Sequence, residues 1–101
     1  MVVQITDIKR IKLESGFKPS MKSLLRIFKV LTENGAKGKT QLSQDTRLNY
    51  SRLAKHVLWM EKKGLAKSTI KDSKINVVLT KSGQEFSYMI AETVWQISLY
   101  L

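Results

Sequence analysis

Apolar residues recur along this chain in two rhythms. Met21, Leu24, Leu25, Phe28 and Leu31 share one side of a 3.6-residue repeat and predict an amphipathic helix, with Ser20 placed to cap its start and Asn34-Gly35 placed to stop it. A basic, glycine-bearing loop at 35–39 leads to Thr40, which can cap a second helix over 41–46, and Arg47-Leu48 then make a tight turn. Behind Asn49, an N-cap residue type, Leu53, Val57 and Met60 follow the i, i+4, i+7 spacing of a buried stripe, so a third helix is expected over 50–63, closed by Gly64. The rhythm then changes to short runs rich in β-branched residues, 66–71 and 75–79, around the polar turn Asp72-Ser73-Lys74, which predicts a β-hairpin.

Thr80 is placed to cap a last helix with two apolar stripes. Phe86, Ile90, Val94, Ile97 and Leu101 form one, and Tyr88, Ala91, Trp95 and Leu99 the other. A terminal helix on a small domain has one body to pack against, so the second stripe is expected to meet a partner, most simply a second copy of the chain. Residues 1–18 choose no element: Val3 and Ile5 alternate as in a strand, while Ile5, Ile8 and Ile11 suit a helix. The pattern as a whole is mainly α with a small β-hairpin. It predicts a winged helix-turn-helix, with an N-terminal extension over 1–19, a DNA-binding domain over 20–83 (three-helix core and wing), and a long dimerisation helix over 84–101.

Composition sharpens this picture. With 101 residues and 43% apolar content the chain supports one small core. Its net charge of +10 is unevenly placed: residues 1–83 hold 18 Lys and Arg against six acids (+12), and 84–101 hold only Glu85 and Glu92 (−2). A polyanion is the partner such a charge suits, nucleic acid before an anionic membrane surface. There is no cysteine, hence no disulfide and no thiolate metal site. The apolar stretch 86–101, broken by Glu92, Gln96 and Ser98, is too short to cross a bilayer. With no signal peptide at the N-terminus, a cytoplasmic protein at the nucleoid is expected.

The outer face of the third helix carries the candidate chemistry. At about 100° per residue, Ser51, Arg52 and Lys55 point away from the buried stripe, where Arg52 and Lys55 can reach guanine edges or phosphates. Asn49 suits capping before it suits reading adenine, because the free N–H groups of the first turn need its oxygen. Tyr50 can donate to a phosphate or pack over the turn. Lys37, Lys39, Lys71 and Lys74 suit phosphate contacts, which position a protein without reading sequence, or plain solubilising roles. His56, the sole histidine, suits packing or a phosphate contact, since one imidazole without Cys or clustered acids makes a poor metal site. The aromatic rings of Tyr88, Trp95 and Tyr100 can stack on single-stranded bases, but their helical spacing and the lack of nearby cations favour a protein interface. No cofactor or metal is expected, and no enzyme: there is no Cys nucleophile, no Walker-type loop and no suggestive pair of acids.

The run Asn34-Gly-Ala-Lys-Gly-Lys-Thr, then Leu48-Asn-Tyr-Ser-Arg-Leu, Lys55-His56 and Lys63-Gly64-Leu65, resembles the small archaeal winged-helix DNA-binding proteins. Thr80-x-x-Gly83 at the close of the hairpin is similar to winged helices more widely, including the multiple-antibiotic-resistance and arsenical-resistance repressor families. The resemblance covers about residues 20–101 and is most specific over 48–65. It implies a DNA-binding dimer with paired last helices, the third helix in the major groove and the wing on backbone or minor groove. It places Asn49, Tyr50, Ser51, Arg52 and Lys55 at recognition-helix positions and Lys71 and Lys74 on the wing. One departure is Leu58 and Trp59, expected on the outward side of the third helix where these families carry at least one polar residue; residues 1–18 are a candidate cover.

The functional expectation is a homodimeric, double-stranded-DNA-binding transcriptional regulator. An abundant, weakly specific chromatin protein is a close variant. A winged-helix module that docks an acidic protein is the alternative from another class.

Overall fold

The computed structural model describes the backbone of residues 16–100 and the side chains of residues 16–93. Its elements are α1 (Met21–Asn34), α2 (Lys39–Thr46), α3 (Tyr50–Lys62), β1 (Ala66–Lys71), β2 (Lys74–Leu79) and α4 (Lys81–Tyr100). The expected succession of three helices, hairpin and long last helix is present. The undecided segment 1–15 lies outside the described residues.

α1, α3 and α4 each start behind a side-chain cap. Ser20 caps α1 by accepting from the Ser23 N–H, and Gly35 ends it with φ of 74°. Asn49 caps α3, its Oδ1 accepting from the Arg52 N–H at 2.7 Å. Thr80 caps α4: its Oγ1 accepts from the Gly83 N–H at 3.0 Å and donates to the Gly64 carbonyl at 2.6 Å. The expected cap at Thr40 is not formed. α2 begins one residue before it, behind Gly38, with no side-chain cap. The cause is the preceding residue, Lys37, which exchanges two backbone hydrogen bonds with Val77 of β2 (3.1 and 2.7 Å) and so makes the supposed loop a one-residue third strand. Gly38 leaves that bridge extended and turns directly into helix.

The α2–α3 turn is held from both sides. Arg47 takes the left-handed conformation (φ 59°), and Leu48 donates to the Ser43 carbonyl while the Ser43 hydroxyl donates back to the Leu48 carbonyl at 2.6 Å. Thr46, 3% exposed, donates to the Leu42 carbonyl, so the last turn of α2 leaves no buried hydroxyl unpaired. These bonds fix the angle at which α3 leaves α2.

One core joins all elements. Ile27 and Phe28 of α1, Leu42 of α2, Leu53, Val57 and Met60 of α3 and Val77 of β2 are essentially inaccessible to water, and Ile90 of α4 closes the cluster. Ile27 was absent from the sequence stripe of α1, and Met21, which was included, is 55% exposed. Met21 is the first residue of α1, at the open end of the stripe beyond the reach of the core. Phe28 and Phe86 meet at 5.5 Å between ring centroids and dock α4 on α1.

β1 and β2 pair antiparallel from Ala66↔Leu79 to Lys71↔Lys74. The connection is a two-residue turn, Asp72-Ser73, both with positive φ (53° and 63°), rather than the three-residue turn expected. A turn with φ above zero at both central residues matches the right-handed twist of the strands, so pairing continues to the last position and draws Lys74 into the ladder.

Leu58 and Trp59 do not stand bare on the outward side of α3. Both are half-buried, Trp59 packs against the core cluster, and Lys63 Nζ lies 5.9 Å from the centre of its ring. Trp59 follows the buried His56 by three residues, on the flank of the core stripe.

Candidate nucleic-acid interface

Arg52 is exposed on a backbone that is hydrogen-bonded on both sides. Its N–H is held by Asn49 Oδ1, its carbonyl accepts from His56 Nδ1 at 2.8 Å, and its side chain is exposed. His56 is itself 4% exposed and bound on its other nitrogen, where Nε2 accepts from the Ser20 N–H at 3.0 Å. The backbone N–H can only donate, so this imidazole is neutral with its proton on Nδ1. Phe17 packs edge-on against it, ring centroids 5.4 Å apart. Of the two readings of His56, packing is what the structure contains: the ring ties the start of α1 to the first turn of α3.

Ser51 and Lys55 flank Arg52 on the same exposed side, and the three line an open groove of about 450 Å³ with Phe17, Lys18 and Asn49. Among the described residues neither Arg52 nor Lys55 takes part in an ion pair. Asn49 is exposed, and its oxygen is engaged by the cap.

A second groove, of about 700 Å³, separates the hairpin from the helix-turn-helix. Tyr50, 52% exposed, lines it from α3, Lys39 and Gln41 from α2, and Lys74 and Ile75 from β2. Because α2 has no side-chain cap, the free N–H groups of its first turn, and the positive end of its dipole, lie along this groove. Lys37 lines it too, but is partly buried and paired with Asp45 at 3.3 Å, so part of its charge is neutralised in place. Lys71 and Lys74 are exposed cross-strand partners at the hairpin tip. Lys18, Gln41 and Ile75 were not among the residues expected here. Gln41 was legible as an outward position of α2; Lys18 and Ile75 join the surface only through tertiary packing.

Glu61 of α3 has its carboxyl pushed above the ordinary value of 4.5 by burial, while Lys39 and the Ser68 hydroxyl pull it back down. On α4, Tyr88 is 68% exposed and Ala91 is exposed, as two of the four expected interface positions; the side chains of Trp95 and Leu99 lie outside those described. Tyr88 and Ala91 border a further groove of about 610 Å³, shared with Leu31 and Thr32 of α1 and Val78 and Leu79 of β2. Among the described residues, no group of three or more His, Cys, Asp or Glu is placed to hold a metal ion. No helix among them is long and apolar enough to cross a membrane.

Solved structures share this architecture. A MarR family transcriptional regulator from Silicibacter pomeroyi superposes with a TM-score of 0.65 at 21% identity, over 97% of this chain and 67% of that one. A MarR family protein from Bacillus stearothermophilus gives 0.67 at 17% identity, over 94% and 66%. A probable transcriptional regulator from Pseudomonas aeruginosa gives 0.66 at 18% identity, over 92% and 70%. The chain thus spans about two thirds of the length of these proteins. No protein-family model matches the chain, and no curated protein matches it significantly. The fold is a winged helix-turn-helix, matching that of bacterial MarR-family regulators.

Proposed function

We propose that the protein binds double-stranded DNA as a homodimeric transcriptional regulator, with α3 in the major groove and the β1–β2 wing on the backbone. The observation that carries this reading is the outer face of α3, where Ser51, Arg52 and Lys55 are exposed on the first two turns and Asn49 and His56 hold the backbone of Arg52. Rigid backbone under exposed cation is what base-edge contacts need, since a bidentate pair depends on geometry. Tyr50, Lys39 and the open amides of α2 line the adjacent groove and suit phosphate oxygens. Lys71 and Lys74 face each other across the ladder, an unfavourable like-charge pair that a phosphate would relieve. The net charge of +10 favours encounter with a polyanion.

The same fold is found in proteins described as transcriptional regulators, which supports the reading without assigning it. Dimerisation through α4 rests on the exposure of Tyr88, Met89 (63%) and Ala91 and on the sequence positions of Trp95 and Leu99. The test is fluorescence anisotropy with a labelled duplex. Arg52→Ala with Lys55→Ala should weaken binding at matched salt while circular dichroism stays unchanged; unchanged affinity removes α3 from the DNA surface.

A further inference from the structure

The hairpin tip carries an apolar pair that stands outside the core. Ile70 and Ile75 sit directly opposite each other in the ladder and are 78% and 64% exposed. By the two-residue alternation of strands they share a face with Ala66 and Val77, which nearer the body are 4% and 0% exposed. The core-facing row of the hairpin therefore continues past the end of the core. The next pair outward, Lys71 and Lys74, falls on the opposite face. Ile75 and Lys74 both border the groove that holds Tyr50, Lys39 and Gln41. The tip thus presents one apolar and one cationic face beside the candidate DNA surface.

We propose that Ile70 and Ile75 form an apolar wedge for the minor groove of duplex DNA, an inference that rests on the DNA-binding reading above. The floor and walls of that groove are base edges and deoxyribose, and its rims are phosphate. An apolar face turned inward with lysines turned outward complements that order of surfaces. The minor groove is about 6 Å wide, too narrow for a ribbon whose two strands are themselves about 4.8 Å apart. Entry of the pair therefore widens the groove and parts a base step, as inserted aliphatic side chains do in minor-groove binding. Pyrimidine–purine steps unstack most readily, so the wedge favours TA and CA/TG steps and yields a sequence preference without hydrogen bonds. A bilayer suits the tip less well, because the polar groove beside it, lined by Lys39, Thr40, Gln41 and Gln44, would lie against lipid without apolar surface to bury.

The experiment uses the full chain and duplexes carrying 2-aminopurine beside a TA step, with Ile70→Thr and Ile75→Thr, singly and together, since threonine keeps the β-branch and the strand. Wild type should raise the 2-aminopurine fluorescence. The double variant, folded by circular dichroism, should lose that signal and bind about 10-fold more weakly or worse with the same salt slope, because no phosphate contact is removed. Wild-type affinity and fluorescence in the double variant overturn the wedge, and so does weaker binding by a variant that retains the fluorescence rise. Loss of binding to phosphatidylglycerol vesicles, or conversion of a dimer to monomer, with duplex binding unchanged, assigns the pair to lipid or to a second copy and also overturns it. If wild type binds no duplex at low salt, the DNA-binding reading falls and the wedge with it. Steep, salt-dependent binding of equal affinity by wild type and variant, with an equal fluorescence rise, sinks the wedge alone.

Discussion

At the scale of single residues, the division of labour on α3 follows from its pitch. Leu53, Val57 and Met60 are inaccessible, and Ser51, Arg52 and Lys55, rotated away from them, are exposed. The Arg52→Ala/Lys55→Ala variant is therefore expected to keep its folded stability within about 0.5 kcal/mol, as surface changes do, while Leu53→Ala should cost about 2 to 5 kcal/mol. Urea denaturation of both variants checks the contrast. Glu61 supplies a pH dependence. Burial raises its carboxyl pKa in the folded state, so the protonated form folds more favourably. Its contribution is most favourable below the unfolded value, ordinarily 4.5, and is lost as pH rises through the higher folded value. Glu61→Gln removes that loss. The stability of the variant relative to wild type should rise between about pH 4 and pH 7, read from urea midpoints; a constant difference contradicts the assignment.

These side-chain roles were legible to different degrees. The N-cap at Asn49 and the exposed trio on α3 could be read directly, because both depend only on local spacing. The neutral His56, braced between Ser20 and Arg52, could not, since Ser20 lies 36 residues before it and reaches the ring only after α1 packs on α3. Trp59 was misplaced for the same kind of reason: periodicity gives an angle about the helix axis, whereas the depth of the packing around it decides how much of a ring is covered.

At the scale of elements, the junction of wing and last helix leaves no room for a side chain at Gly83. A Cβ on Gly83 would sit 1.8 Å from the Leu65 carbonyl oxygen, in backbone that Thr80 ties down through hydrogen bonds to Gly64 and Leu65. Gly83→Ala is therefore expected to destabilise the fold by about 3 kcal/mol or more, despite the better helix propensity of alanine. Thermal unfolding gives the answer, and a variant as stable as wild type would mean that α4 can slide on its hydrogen bonds. The hairpin itself was legible from β-branched runs around a polar turn. Its register was not, because a three-residue turn and a two-residue turn use the same letters, and only the positive φ at both Asp72 and Ser73 puts Lys74 opposite Lys71. That register gives the wing its expected behaviour. Lys71→Ala with Lys74→Ala should weaken binding equally on unrelated duplexes and flatten the salt slope by about two phosphates' worth. A loss confined to one sequence would instead make these lysines base readers.

At the scale of the whole molecule, charge is spread unevenly along the chain. The cations belong to residues 1–83, and the second apolar stripe belongs to the nearly uncharged α4. This arrangement suits two chains joined through α4 with their recognition helices spaced to share one site. Trp95→Glu with Leu99→Glu should give a folded monomer by sedimentation and much weaker duplex binding, because a buried carboxylate costs several kcal/mol and a split pair of sites loses its effective concentration. A wild-type chain that sediments as a monomer at about micromolar concentration contradicts the paired arrangement.

The central claim is that the cationic face of α3, the α2 groove and the wing are a surface for DNA phosphates and bases. Its most direct test is the salt dependence of wild-type binding to a duplex, compared with an acidic polypeptide of equal charge density. The surface described here predicts duplex preference and a linear fall of log K with log salt, at about 0.9 per phosphate neutralised. Binding that favours the acidic polypeptide, or a duplex affinity that does not respond to salt, would contradict it.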